Sequence, residues 1–173
     1  EAGWTEGSDG IREKDGERLS LTVAWITNFG PNQTSLELIQ QQLKAVGVEI
    51  ELVGGVVPEF LERQKSGDFD IAWHNGSRAD GDILRTSFST AATNYLKIDD
   101  PELEALLQKQ LATADPVARA EVLAEAQERI ASQYYQIPVH ELTSILGAQT
   151  TVHGITFGAD SRLDSLVAAW KAE

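Results

Sequence analysis

Leu19, Leu21, Val23 and Trp25 alternate with Ser20, Thr22 and Ala24. This period of two predicts a strand with one face buried. The break Asn28-Phe29-Gly30-Pro31-Asn32 ends it. Thr34 or Ser35 then suits a helix N-cap, because a short hydroxyl side chain can accept from the free amides of a first turn. Leu36, Ile39, Leu43 and Val46 fall on one helical face, and Gly47 supplies a C-terminal stop. Val48, Ile50 and Leu52 alternate with Glu49 and Glu51 to give a second strand. Pro58 suits the start of a short helix. After the turn at Ser66-Gly67, Phe69 to Trp73 read as a third, buried strand. Residues 7–18, rich in Gly and charge, read as a loop.

Strand, helix, strand, helix, strand by Trp73 argues for an α/β fold, a mainly parallel sheet flanked by helices and joined by right-handed crossovers. The second half reads differently. Asp82-Ile83-Leu84-Arg85 opens a short helix. Asp100-Pro101 and Asp115-Pro116 each place a capping carboxylate before a proline at the first helical position. Leu103, Leu106, Leu107 and Leu111 form the apolar stripe of the first helix, and Leu123, Ile130 and Tyr134 mark the buried face of the second. Two such helices fall short of a repeat array. Ile137-Pro138-Val139-His140 reads as a strand or hinge, followed by scattered apolar pieces at Ile145-Leu146, Val152, Ile155 and Phe157.

Composition narrows the function. The chain has 173 residues, 14 Lys plus Arg against 27 Asp plus Glu, and a formal net charge of −13. A field of that sign repels phosphate backbones, so nucleic acid is not an expected partner. Cys is absent, which removes disulfides, thiolate metal sites and thiol nucleophiles. No apolar run approaches the roughly 20 residues of a membrane span. The chain opens inside a motif, at what reads as the end of a helix. It is therefore expected to be a fragment, with any export signal or lipid anchor upstream.

In open α/β sheets ligands sit outside the carboxyl ends of the strands. The loop leaving the third strand carries an indole, an imidazole, an amide and a guanidinium: Trp73, His74, Asn75 and Arg78. Trp25 and Asn28 end the first strand and should share that edge. Trp25 also reads as a core residue, and Asn28 as a turn residue. Arg78 could pair with a ligand carboxylate or with Asp80 or Asp82. His74, His140 and His153 form no H-x-x-x-H or H-E-x-x-H pair, so no metal site is expected. An enzyme is the competing class. Yet G-x-S-x-G is absent, and carboxylates two residues apart at a helix start diverge too far to flank one bond. Neither catalytic residues nor a cofactor are expected.

Phe60, Gly67, Phe69 and Asp70, then Trp73 and the pair Asp80 and Asp82, resemble a signature of the family 5 extracellular solute-binding proteins, the dipeptide, oligopeptide and nickel receptors of ABC importers. Glu1-Ala2-Gly3-Trp4, Asp9-Gly10-Ile11-Arg12, Asn94-Tyr95, Asp100-Pro101-Glu102-Leu103, Leu106-Leu107, Gln127 and Ile137-Pro138 continue the likeness in order along nearly the whole chain. The resemblance implies the C-terminal lobe of a two-lobed periplasmic-binding-protein fold. Residues 1–138 would form the ligand-binding lobe, and residues 139–173 a crossover tail returning to the other lobe, which on its own would be poorly supported or would pair with another molecule through exposed edges. It further implies an extracytoplasmic carrier that closes on a peptide or other small polar solute and hands it to permease subunits, with membrane attachment only through an upstream anchor. A sensor that docks on a receptor kinase would use the same fold. Peptide-binding members place an acidic residue in the loop after the third strand, where it meets the ligand's amino terminus. Asn75, Gly76 and Ser77 stand there instead, in a loop about one residue longer, which favours an anionic or neutral polar ligand. Asp80 and Asp82 are expected to cap the short helix and fix the loop.

Overall fold

The computed structural model describes residues 2–28, 30–76, 78–92, 94–141, 143, 145–156, 158 and 168–172. It divides into two compact units, Glu1–Asn75 and Gly76–Glu173.

The first unit is built on a parallel sheet of β4 (Ser20–Ile26), β5 (Glu49–Gly55) and β6 (Ile71–Ala72), in the order β5-β4-β6. β4 pairs with β5 from Ser20↔Glu49 to Ile26↔Gly55, and with β6 at Val23↔Ile71 and Ala24↔Ala72. The crossovers are α1 (Gly30–Lys44) and α2 (Val57–Ser66). α1 carries the chain from β4 out to β5 and α2 carries it back past β4 to β6, so right-handedness puts them on opposite faces. The central strand is thus covered twice, and Val23, Ala24 and Trp25 are buried in succession. Val23, Trp25, Leu36 and Ile50 form one core, with Leu21, Leu43, Val48, Leu52 and Trp73 packed against it. β6 is shorter than the expected Phe69–Trp73. Its pairing nevertheless continues through Asp70 N–H to the Thr22 carbonyl (3.0 Å) and Trp73 N–H to the Ala24 carbonyl (2.8 Å), while the Asp70 carboxylate takes the Thr22 N–H at 2.7 Å.

Three further expectations change here. α1 starts at Gly30, ahead of Thr34 and Ser35, because Pro31 sets a helical φ where its missing N–H costs nothing. The helix ends at Lys44, and Gly47, at φ +86°, receives the chain in the left-handed region. Val46 lies in that turn and is exposed instead of on the helix's buried face. Residues 7–18 are not a loop: β1 (Thr5–Glu6), β2 (Arg12–Lys14) and β3 (Glu17–Arg18) form an antiparallel sheet. Asp15 (φ 54°) and Gly16 (φ +84°) make the two-residue turn with both φ positive that matches hairpin twist.

The second unit contains α3 (Ile83–Phe88), α4 (Pro101–Ala112) and α5 (Pro116–Ser132). Asp100 and Asp115 cap α4 and α5 as the sequence predicts, each accepting two first-turn amides. Phe88, Ile98, Leu103, Leu107, Ala126 and Ile130 make its core. Two expected core positions face water. Leu111 is exposed while Gln110 is buried. Tyr134 is 82% exposed, because it ends α5 in the left-handed region at φ 57°. That reversal turns the next residue inward: Tyr135 packs on the core and its hydroxyl donates to Asp100 at 3.1 Å. Ile137–His140 adopt neither helix nor strand, and Ile137, Val139 and Ile145 are exposed. β7 (Val152–His153) pairs with β8 (Trp170–Lys171) within the chain, with the His153 and Trp170 rings stacked 4.5 Å apart. Phe157 lies outside the described residues.

Candidate functional site

A cleft of about 300 Å³ opens at the carboxyl edge of the parallel sheet, lined by Ile26, Asn28, Asn32, Trp73, His74 and Asn75. The topology explains the gathering. β4 and β6 are parallel neighbours, so their ends deliver Ile26-Thr27-Asn28 and Trp73-His74-Asn75 to the same side. α1 starts at that edge, because it must run back along the sheet. Its first turn carries no acidic residue, which leaves the positive end of the helix dipole uncompensated there.

Each expected residue has a definite place. Trp73 is half-buried and rests on the sheet core. His74 and Asn75 follow it, exposed. Partial desolvation of the imidazole lowers the His74 pKa below its ordinary value of 6.5. At pH 7 the ring is therefore neutral, with one nitrogen donating and one accepting. Asn28 sits in the turn after β4. Trp25 is not in this cleft. It is 7% exposed and belongs to the core. Its position in β4 points it at Gly54, where a Cβ would meet the indole at 2.9 Å, and its Nε1 is buried without a hydrogen-bond partner among the described residues.

Arg78 belongs to the second unit and is exposed. Neither nearby carboxylate is left for it. Asp80 accepts a bidentate pair from Arg119 at 2.6 and 3.0 Å and caps the Asp82 N–H at 2.7 Å. The Arg119 hydrogen bonds hold the Asp80 carboxyl well below the usual range. Asp82 accepts from Arg85 Nε and Nη2, both at 2.7 Å, and from Gln110 Nε2 at 2.7 Å. The helix-start amide is thus capped by Asp80, whereas Asp82, at the N-cap position, spends its carboxylate on side chains.

Asn32 and Ile26 were not singled out from sequence. Asn32 is only 9% exposed and lines the cleft from the first turn of α1. Gly30-Pro31 was the available signal: a proline there starts the helix early and turns Asn32 from a loop residue into a first-turn residue. Among the described residues no group of three or more His, Asp and Glu is placed to hold a metal ion, and no helix is long and apolar enough to cross a membrane.

Comparison with known proteins agrees with this fold. Over 165 residues the chain is 22% identical to the nickel-binding periplasmic protein of Escherichia coli (strain K12), covering 90% of this chain and 31% of that protein. It is 30% identical over 171 residues to the oligopeptide-binding protein OppA of Lactococcus lactis subsp. lactis (strain IL1403), covering 90% of this chain and 28% of that one. Its fold is similar to that of NikA from Brucella suis, solved in complex with Fe(III)-EDTA, with a TM-score of 0.79 and 27% identity over 94% of this chain and 34% of that one. The chain thus spans roughly a third of the length of these relatives. Residues 1–95 match the family described as bacterial extracellular solute-binding proteins, family 5 Middle. That match takes in the parallel sheet and the whole Trp73 cleft, and the chain belongs to the family 5 bacterial extracellular solute-binding proteins.

Proposed function

We propose that this chain is the C-terminal lobe of an extracytoplasmic solute carrier, and that it supplies one jaw of a two-lobed clamp serving an ABC importer. The observation that carries the reading is the cleft at the carboxyl edge of the parallel sheet. It presents an aromatic surface and directed neutral polar groups on rigid strand ends, which is what small-molecule binding requires. Trp73, His74, Asn75 and Asn28 contact the solute, Arg78 is a further candidate contact, and Trp25 supports the strand end from the core. Residues from about 139 onward return to the other lobe, and the exposed Ile137, Val139 and Ile145 are covered there. Closure about the connections traps the solute and presents the closed form to permease subunits. A lipid anchor or export signal upstream holds the carrier outside the cytoplasmic membrane. The relatives named for nickel and for oligopeptides support a peptide or another small polar solute as cargo.

A micromolar carrier needs about 8 kcal/mol of net binding free energy. One jaw supplies only part of the contacts, so the isolated chain binds weakly. The test is native mass spectrometry of the full-length protein as purified, followed by denaturation. A stoichiometric small molecule released on unfolding is the expected result. No retained mass, before or after incubation with peptides, sugars and metal chelates, refutes the carrier reading.

A further inference from the structure

Asn75 lines the cleft and is followed by Gly76, and that pair has a reaction of its own. A backbone amide nitrogen can attack the side-chain carbonyl carbon of the asparagine before it, closing a succinimide ring. The bond to the carboxamide nitrogen breaks and ammonia leaves. Water then adds to either ring carbonyl, and the ring opens to aspartate or, with an extra methylene in the main chain, to isoaspartate. The sum is one carboxamide and one water to one carboxylate and one ammonium ion, with nothing oxidised or reduced. Two conditions favour the step. The following residue must not crowd the ring, which glycine meets because it has no Cβ. The backbone must also be free to leave its φ/ψ well, which helix and sheet hydrogen bonds oppose.

The four asparagines of the chain differ on both counts. Asn28 precedes the bulky Phe29. Asn32 precedes Gln33 inside α1 and is 9% exposed. Asn94 precedes Tyr95, and its carboxamide is held twice by Ile98, donating to the carbonyl and accepting from the N–H, both at 2.9 Å. Asn75 alone precedes a glycine. Asn75 and Gly76 are both exposed, outside helix and strand, and beyond the Trp73 N–H that pairs with the Ala24 carbonyl at 2.8 Å. Asp-Gly pairs reach the same succinimide only from an un-ionised carboxyl, and here they are restrained. Arg18 and Arg119 hold Asp9 and Asp80 in the ionised form, and Asp15 is fixed in the hairpin turn. We propose that Asn75 is a site of spontaneous deamidation, and that the reaction changes the wall of the cleft from uncharged to anionic. Among the described residues that line the cleft there is no Asp, Glu, Lys or Arg, so this carboxylate is its first charge. An aspartate titrates near about 3.9 and is ionised at neutral pH. A wall so charged favours cationic over anionic solutes. That consequence rests on the carrier reading, whereas the chemical step does not.

The experiment incubates the full-length protein in mildly alkaline buffer, folded and, in parallel, in urea, and follows both by peptide mapping with mass spectrometry. In the folded protein the peptide carrying position 75 should gain the mass that separates a hydroxyl from an amino group. It should split into two isomers, one of them a substrate for isoaspartyl methyltransferase. Asn28, Asn32 and Asn94 should stay intact over the same period. Gly76→Val should suppress the conversion both folded and in urea, which separates its effect from any on folding, and Asn75→Gln should remove it. As converted protein accumulates, the His74 midpoint in NMR should rise, because a new negative charge on the same wall favours the imidazolium. An Asn75 that stays intact in the folded protein overturns the proposal, and conversion in urea alone would show that the fold shields it. Conversion that Gly76→Val leaves untouched, or that Asn28 or Asn94 matches in rate, overturns it as well. An unmoved His74 midpoint overturns the recharging of the cleft. None of these outcomes bears on whether the purified protein carries a passenger, so the carrier reading stands or falls separately.

Discussion

Asp100 is where a single substitution should cost this protein most for the atoms removed. Its carboxylate is 5% exposed. It accepts the Glu102 and Leu103 amides at 3.1 and 3.0 Å, Arg129 Nε at 3.0 and 2.8 Å, and the Tyr135 hydroxyl at 3.1 Å. One side chain thus caps α4, ties α5 to it and anchors the turn after α5. Asp100→Ala removes the cap, worth about 1 kcal/mol, and strands the guanidinium. Stranding one member of a buried pair costs about 3–5 kcal/mol. Arg129 keeps partial access to water and a second partner in Glu102, so the lower end applies and the total is about 3–4 kcal/mol. Asp100→Asn keeps the shape and a capping oxygen but loses the charge, for about 1.5–3 kcal/mol. Urea unfolding followed by far-UV circular dichroism measures both. The Arg129 hydrogen bonds, foremost, lower the Asp100 pKa from 3.8 to about 2. With the folded pKa below the unfolded one, this stabilisation is fully present above pH 3.8 and is lost as the pH falls through about 2. Asp100→Asn should flatten that acid limb. A cost under about 1 kcal/mol for Asp100→Ala, or an unchanged acid limb in Asp100→Asn, refutes the reasoning.

Other substitutions separate packing from backbone effects. At Gly54 a Cβ would meet Thr27 Cγ2 at 2.6 Å and the Trp25 ring at 2.9 Å; Gly54→Val should cost about 1–3 kcal/mol by overpacking, read as a fall in thermal midpoint, and an unchanged midpoint would mean that the indole gives way. Tyr134→Gly should stabilise by about 0.4–1 kcal/mol in chemical denaturation, because it removes an exposed side chain from a left-handed position. His74 should titrate by NMR with a midpoint below 6.5; its folded pKa lies below the unfolded one, so any linked stability is present above pH 6.5 and declines as the pH falls below it.

The strand-helix-strand-helix-strand order, both Asp-Pro helix starts, the Gly47 stop and the edge carrying Asn28, Trp73, His74 and Asn75 were all legible in the sequence. Each rests on a local or periodic rule: alternation along a strand, a carboxylate before proline, and the placement of loops at the carboxyl ends of parallel strands. The same rules misled where two local signals competed. Residues 7–18 are polar enough to read as loop, yet Asp15-Gly16 folds them into a hairpin. The stripe that picks Tyr134 presumes that α5 continues, and a left-handed residue at its end hands the core position to Tyr135.

The sequence by itself determined the main elements of the parallel sheet, both Asp-Pro helix starts and which loops gather at the sheet's carboxyl edge, because periodicity, caps and breakers act within a few residues. Only the tertiary structure decided which polar side chains face which partners. Asp80 goes to Arg119, 39 positions away, Asp82 to Gln110, 28 away, and Trp25 to the core instead of the cleft. It also brought Asn32, 9% exposed, to the cleft wall. Such pairings depend on how helices cross and where strand ends meet, and no local pattern along the chain encodes those distances.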